Sequence, residues 1–179
     1  MKYNKGIFVE SDHVISQKRL TTERYAEAMS SLIIVCADAA IIAPESKTVY
    51  LARRRVSPMQ GYWTIGGRRF AGEAAVEAVR RNFLRETGVD ADEARFNTAT
   101  TLEVIWRDRK EAPVDQGKHD IIQFFSIVLS EQELLKANAN LLTSEYEPMS
   151  LRPFTFEDLL MHDVNLVMRH VHRAVFPES

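Results

Sequence analysis

One segment of the chain, residues 67–89, constrains the fold more than any other. Its apolar residues recur at helical spacing and would pack against a sheet: Val76, Val79 and Phe83. Gly88 stands where a helix commonly ends in a left-handed residue, a conformation that glycine adopts easily. The pattern therefore predicts a helix from about Glu73 to Thr87, with a glycine turn at each end.

The rest of the chain mixes strands and helices. Runs of β-branched and apolar residues predict strands at about 32–42, 48–53, 96–106 and 120–129. Capping residues predict a short helix at about 23–29, another after Ser130 and a longer one from Thr155 to about Val175. Because these elements do not alternate as regular β-α-β units, the predicted fold class is α+β.

Length and composition indicate an ordinary globular protein. The 179 residues are expected to form one domain, residues 1–179, in which residues 1–30 are an N-terminal extension with the short helix. A net charge of −2 gives no sign of nucleic acid or a lipid surface as a partner. The single cysteine, the short apolar runs and the missing signal-peptide pattern lead us to expect a cytoplasmic protein without a membrane partner.

Taken alone, the helix at 73–87 would be an ordinary amphipathic helix with a solvated charged face. The whole segment, however, resembles the Nudix box of the Nudix hydrolases, which reads Gly, five residues, Glu, seven residues, then Arg-Glu-apolar-any-Glu-Glu-any-Gly-apolar. The matching residues are Gly67, Glu73, Arg81, Phe83, Glu86, Gly88 and Val89. The resemblance spans roughly residues 32–154. It implies a Nudix-type α/β/α sandwich with a mixed sheet.

Two of the three glutamates at the end of the box are replaced. Asn82 and Arg85 stand in their place and only Glu86 remains, so the formal charges of the three positions sum to zero. Mg²⁺ needs oxygen ligands and negative charge. The resemblance therefore implies at most one Mg²⁺ per site, held by Glu86 and the Gly66 carbonyl, with further ligands from water and substrate phosphates.

The residues before the box resemble one branch of the family, the GDP-mannose mannosyl hydrolases. That branch lacks the same two glutamates and has a Gln-Gly-Tyr-Trp stretch, here residues 60–63, before Gly-Gly-Arg, here residues 66–68. The usual proline before Gly-Gly is absent here, and the segment is one residue shorter. The resemblance implies that water attacks the anomeric carbon of a nucleoside diphosphate sugar. Two alternatives remain: a Nudix phosphohydrolase that attacks phosphorus, and an inactive Nudix-like domain that binds a nucleotide or a protein.

Several basic residues suit a departing diphosphate, because arginine binds phosphate oxygens well. By resemblance, Arg68 and one of Arg53 or Arg54 would hold the leaving group, with Arg85 as a further substrate contact. Asp38, in a predicted strand, would accept a hydroxyl of the substrate. A homodimer is a further expectation.

The general base is not evident from the sequence. The GDP-mannose branch uses a histidine in the loop before the last strand, but the corresponding loop here, residues 141–151, contains none. Glu145 and Glu147 in that loop are the carboxylates that would activate water, and His119 is the alternative.

Overall fold

The structure, a computed structural model, describes residues 2–9, 15, 19–162 and 164–177. The strands are β1 (Lys2–Asn4), β2 (Ile7–Val9), β3 (Ile34–Ala43), β4 (Thr48–Arg54), β5 (Gly61–Trp63), β6 (Ile65–Arg68), β7 (Asn97–Trp106), β8 (Lys118–Ile127) and β9 (Arg152–Phe154). The helices are α1 (Thr22–Ser31), α2 (Ala75–Thr87), α3 (Glu131–Ala139), α4 (Phe156–Met161) and α5 (Leu166–Val175). Of the predicted N-terminal extension, residues 1, 10–14 and 16–18 lie outside the described residues.

Seven of the described strands form one mixed sheet. Its main path has the order β5-β4-β3-β8-β7, while β6 pairs with β3 and β9 pairs with β4. Strands β3 and β8 run parallel, with Ile34 opposite Asp120 and Ile41 opposite Ile127, and the other pairs in this sheet are antiparallel. The predicted α+β class with a mixed sheet is confirmed.

Helices cover both faces of the sheet, which makes the fold an α/β/α sandwich. Phe83 of α2 and Phe125 of β8 share one buried core. Leu159 of α4 and Met168 of α5 share the other core with Phe124 of β8. Neighbouring residues of β8 enter opposite cores because side chains alternate along a strand. Removing a buried ring of this kind typically costs about 3–5 kcal/mol of stability.

The helix predicted from the 67–89 segment is α2. Its C-terminal glycine, Gly88, has φ of 69°, which confirms the left-handed end. The helix begins at Ala75, two residues later than predicted, because Glu73 belongs to the preceding turn. There its carboxylate accepts a hydrogen bond of 2.9 Å from the N–H of Phe70.

The prediction of one long helix over residues 155–175 is wrong. Two helices, α4 and α5, occupy this part of the chain. Between them Val164 is 5% exposed and belongs to the core. The side chain of Asn165 then accepts a hydrogen bond from the N–H of Val167 and caps α5. The apolar spacing did not reveal the break, because Val164 is buried whether or not it is helical.

Within the part of the chain that the structure describes, no helix combines the length and apolar character needed to cross a membrane.

The Arg95–Glu133 pair generates a prediction about acid stability. Arg95 donates two hydrogen bonds, of 2.6 and 2.9 Å, to Glu133, whose carboxylate also caps α3 through Ser130. The Arg95 bonds and this cap lower the pKa of Glu133 from 4.5 to about 2. A lowered pKa contributes stability that is fully present above pH 4.5 and is lost as the pH falls toward 2.

We expect Glu133→Gln to lower the free energy of unfolding by about 1 kcal/mol at neutral pH, as is usual for a partly exposed pair with a helix cap. The difference from the native chain should shrink below pH 4.5, because Glu133 of the native sequence then becomes protonated in the unfolded chain while it stays ionised in the folded chain until about pH 2. Denaturant unfolding at pH 7 and pH 3 measures both values, with exposed Glu131→Gln as the control. An equal loss at the two pH values would contradict the assignment.

Candidate active site

A cavity of about 260 Å³ lies where β3, β6 and β8 meet α1, α2 and the loop before β9. Seven of the ten residues predicted from the sequence line it: Asp38, Arg54, Gly66, Arg68, Arg85, Glu86 and Glu145. Arg53 and Glu147 line a neighbouring cavity of about 550 Å³, and Arg54 lines both. His119 lines neither of these two cavities.

Strand register explains which residues reach the cavity. In the parallel pair of β3 and β8, Cys36 lies opposite Ile122, and both side chains line the cavity. Alternation along the strand brings Asp38 and Asp120 to the same face. His119 lies between two cavity residues of β8, so its side chain points to the other face. Its Nε2 atom is 3.4 Å from a carboxylate oxygen of Glu103 there.

Gly66 allows β6 to lie directly against β3. It is paired with Asp38, and a Cβ atom at Gly66 would lie 2.3 Å from the Oδ1 atom of Asp38 and 2.6 Å from the carbonyl oxygen of Ala37. Both distances are far shorter than any real contact. Only glycine therefore fits this position, and it lets β6 lie against β3 at the cavity.

Glu86 lies at the centre of a buried hydrogen-bond network. Its side chain is 2% exposed. The Oε2 atom accepts hydrogen bonds from the hydroxyl of Tyr146, at 2.7 Å, and from the N–H of Gly66, at 3.2 Å. The Oε1 atom accepts a bond from the guanidinium of Arg85. Both carboxylate oxygens therefore already have donors from the protein.

The other altered position of the box is also filled by a donor. Asn82 is 1% exposed, and its side-chain amide donates to the carbonyls of Gly67 at 3.0 Å and Arg68 at 3.4 Å. Beside it, Arg81 donates a hydrogen bond of 2.8 Å to Glu73, so this arginine braces the turn before the helix.

These contacts test whether the described residues fit a resident metal ion. Among them, no group of three or more His, Cys, Asp or Glu side chains is placed to hold one. Glu86 is the one glutamate left of the three at the end of the box, and Arg85, Tyr146 and Gly66 already satisfy it. The arrangement shown is therefore an internal ion pair, and it does not fit a preformed metal site.

Burial sets the electrostatics of two carboxyl groups in the cavity. Loss of solvent raises the pKa of Glu86, and the charge of Arg85 and the bond from Tyr146 oppose this rise. Burial also raises the pKa of Asp38, against two donors to its Oδ2 atom, namely Trp63 at 2.9 Å and Thr64 at 3.0 Å. Removing any of these donors would raise the pKa of its carboxyl group further.

A second aspartate and tryptophan pair lies beside the first. The ring N–H of Trp106 donates to the Oδ2 atom of Asp120 at 2.7 Å, and the ammonium of Lys118 is 2.9 Å from the same oxygen. The Oδ1 atom of Asp120 is buried and has no hydrogen-bond partner among the described residues. The rings of Trp63 and Trp106 meet edge to face at 5.4 Å. No local pattern in the sequence indicates the pairing of Trp106 with Asp120, because the two residues come from different strands, β7 and β8.

The helix of the predicted N-terminal extension contributes directly to the cavity. Tyr25 of α1 lies in its wall, and the guanidinium of Arg68 stacks 3.9 Å from the centre of the Tyr25 ring. This cation–π contact fixes an arginine that was predicted to bind phosphate. Helical spacing gave no reason to single out Tyr25, since its role depends on where α1 docks.

The loop before β9 is attached to the end of β4. The N–H of Arg55 donates to the carbonyl of Glu145, and the N–H of Glu147 donates to the carbonyl of Arg53, both at 2.8 Å. The two glutamate side chains separate, because Glu145 lines the cavity that contains Glu86, whereas Glu147 lines the neighbouring one. Of the three predicted candidates for the general base, the structure brings only Glu145 into the cavity of the box helix.

Charge is distributed unevenly in the cavity. Five basic and five acidic residues line it: Arg54, Arg68, Arg85, Lys110 and Lys118, with Asp38, Glu86, Glu111, Asp120 and Glu145. Three of the acids are buried against partners, whereas the side chains of Arg85 and Lys110 are 51% and 53% exposed. The accessible charge therefore favours an anionic ligand.

Comparisons with known proteins agree with this fold. A family model described as the NUDIX domain matches residues 34–175. The fold is similar to that of a MutT NUDIX hydrolase from Burkholderia pseudomallei, with a TM-score of 0.60 and 20% identity over 81% of this chain and 99% of that chain. It is also similar to the E. coli dihydroneopterin triphosphate pyrophosphohydrolase, with a TM-score of 0.56 and 15% identity over 82% of this chain and 99% of that chain.

A third solved structure, the C. elegans Ap4A hydrolase, has a TM-score of 0.52 and 10% identity over 81% of this chain and 97% of that chain. A search of curated proteins finds no match. The family match covers most of the chain, and the chain belongs to the NUDIX domain family. This membership supports hydrolysis of a nucleoside diphosphate derivative as the class of activity, and Nudix hydrolases generally use divalent metals such as Mg²⁺.

The stacking of Arg68 on Tyr25 generates a prediction about ligand binding. We expect Tyr25→Ala to weaken the binding of a nucleoside diphosphate by about two- to thirtyfold, since such contacts contribute about 0.5–2 kcal/mol. Tyr25→Phe keeps the ring and should bind nearly as the native chain does. Calorimetric titration with GDP measures both dissociation constants. If Tyr25→Ala and Tyr25→Phe bind GDP equally well, the stacking has no role in binding.

Proposed function

We propose that the chain hydrolyses a nucleoside diphosphate sugar, of the GDP-mannose type, by attack of water at the anomeric carbon. One observation carries the proposal. Arg54, Arg68 and Arg85 line one cavity with Glu86, which is already paired and is the one glutamate left of the three at the end of the box. The cavity thus offers positive charge to a leaving diphosphate, but no carboxylate cluster to hold the metals that attack at phosphorus requires.

The proposed step exchanges one bond for another. The oxygen of water forms a bond to the anomeric carbon while the bond from that carbon to the diphosphate oxygen breaks. The electron pair of the broken bond stays on the diphosphate, and a proton of the water passes to a carboxylate of the protein. The products are the free sugar and the nucleoside diphosphate, as in the branch that the sequence resembles.

Glu145 is the carboxylate that we assign to this proton. It lies in the same cavity as the three arginines, and its Oε2 atom is 3.4 Å from Arg54. Its Oε1 atom is 3.3 Å from the ammonium of Lys110. Two cations thus hold the side chain at the rim of the cavity, where water has access. Glu147, in the neighbouring cavity, and His119, on the other face of the sheet, are the less favoured assignments.

The two cavities suggest how the substrate lies. Arg54 lines both of them, so a diphosphate bound there would place the sugar on one side and the nucleoside on the other. Arg53 and Tyr62 line the neighbouring cavity and would contact the nucleoside side. Asp38 is the predicted contact for a sugar hydroxyl.

The single Mg²⁺ expected from the sequence, at Glu86 and the Gly66 carbonyl, stays a prediction. Such an ion would supply charge to the diphosphate. Because the described residues do not fit a resident metal, the step above uses only groups of the chain. An ion that arrives with the substrate would take most of its ligands from the phosphates and from water.

The position of bond cleavage tests the proposal directly. Hydrolysis of GDP-mannose, within a panel of nucleotide sugars, is carried out in ¹⁸O-labelled water with Mg²⁺ present, and the products are analysed by mass spectrometry. We expect the label in the free sugar. Label in a phosphate product would replace the proposal with attack at phosphorus, and binding without turnover would assign a Nudix domain that only binds its ligand.

The assignment of the base generates a second prediction. We expect Glu145→Gln to lower kcat by about 10²-fold or more, as is usual for loss of a general base. Glu45→Gln, on an exposed turn, is the matched control and should leave kcat unchanged. A loss of the same size in Glu147→Gln, with Glu145→Gln active, would transfer the role to Glu147.

A further inference from the structure

The side chain of Arg85 lies where the box of a metal-binding Nudix protein carries a glutamate. Its guanidinium donates to the Oε1 atom of Glu86. The Arg85 side chain is 51% exposed, whereas that of Glu86 is 2% exposed. A cation of the protein therefore covers the buried carboxylate from the solvent side, which is the side from which a metal ion would approach.

The glycine segment of β6, which faces α2, also meets side-chain donors of that helix. A Cβ atom at Gly67 would lie 3.6 Å from the Nη2 atom of Arg85 and 3.6 Å from the side-chain amide of Asn82. Asn82 uses that amide to bond the Gly67 and Arg68 carbonyls. Two donors thus face the glycines of β6 at the two positions where the box would otherwise carry carboxylate acceptors.

Electrostatics favours the pair over a metal. Glu86 carries the only formal negative charge among positions 82, 85 and 86, and Arg85 neutralises it at contact distance. A divalent cation at Glu86 would either lie beside the guanidinium, with like charges repelling, or displace it. Displacement would also leave the cation with one protein carboxylate, far fewer anionic ligands than a dedicated site supplies.

We propose that Arg85 is a built-in cation that occupies the metal position at Glu86, so that the free protein binds Mg²⁺ or Mn²⁺ there only weakly. Removal of the guanidinium opens Glu86 to a divalent cation. A metal ion that takes part in turnover then enters together with substrate phosphates. The inference rests on the cavity proposed above as the active site, but it depends on neither the substrate nor the bond that is cleaved.

Titration with Mn²⁺ in the absence of substrate tests the proposal, with free Mn²⁺ measured by electron paramagnetic resonance. We expect Arg85→Ala and Arg85→Gln to bind one Mn²⁺ at least tenfold more tightly than the native chain does. Arg85→Lys keeps the positive charge and should show less than half of that gain on a logarithmic scale. Adding Glu86→Gln to Arg85→Ala should abolish the gain, which locates the ion.

The matched control is Arg80→Ala, on the same helix. Arg80 pairs with Asp90, 2.7 Å away, and does not line the cavity, so this variant should bind Mn²⁺ as the native chain does. Circular dichroism establishes that each variant is folded, and the half-exposed position of Arg85 makes its replacement tolerable. The proposal is overturned if the native chain binds Mn²⁺ as tightly as Arg85→Ala, or if neither uncharged variant gains affinity.

Because no substrate is present, this result is independent of catalysis. A failed hydrolysis assay with tighter Mn²⁺ binding by Arg85→Ala would reject the proposed function and keep the role of Arg85. Active hydrolysis together with tight Mn²⁺ binding by the native chain would support the proposed function and reject the role of Arg85.

Discussion

The rest of the site depends on the hydrogen bonds that the buried carboxylate of Glu86 accepts. It joins three parts of the chain, because Gly66 of β6, Arg85 of α2 and Tyr146 of the loop before β9 all donate to it. The backbone of the same residue holds the loop as well, since its carbonyl accepts a bond of 2.9 Å from the N–H of Leu142. Glu86 thereby fixes the segment that carries Glu145, in addition to any part that it has in ligand binding.

This network explains how a Nudix fold tolerates two lost glutamates. A buried carboxylate without partners would be strongly destabilising. Here Arg85 compensates the charge of Glu86, and the amide of Asn82 satisfies the carbonyls of Gly67 and Arg68 in β6. The altered box is therefore internally consistent, with donors where acceptors stood. We interpret it as a change of chemistry rather than decay of the site, since decay gives no reason for the replacements to find partners.

Much of the fold follows from local patterns in the sequence. Spacing within residues 67–89 determined the helix, its buried face and its left-handed end at Gly88, because helical geometry relates residues three and four apart. The prediction failed at residues 155–175, where the apolar spacing continues through Val164 although the helix does not.

The sequence by itself determined the family and the class of fold, because the box fixes residue types at set positions along one helix and the segment before it. It also predicted seven of the residues that line the cavity, of which Asp38, Arg54 and Glu145 lie outside the box. Only the tertiary structure decided which residues contact the predicted site residues. Strand register turns His119 away from the cavity, and the docking of α1 places Tyr25 on Arg68. The bond from Tyr146 to Glu86 joins residues 60 positions apart. Such contacts depend on how distant elements meet in space, and no periodicity along the chain encodes them.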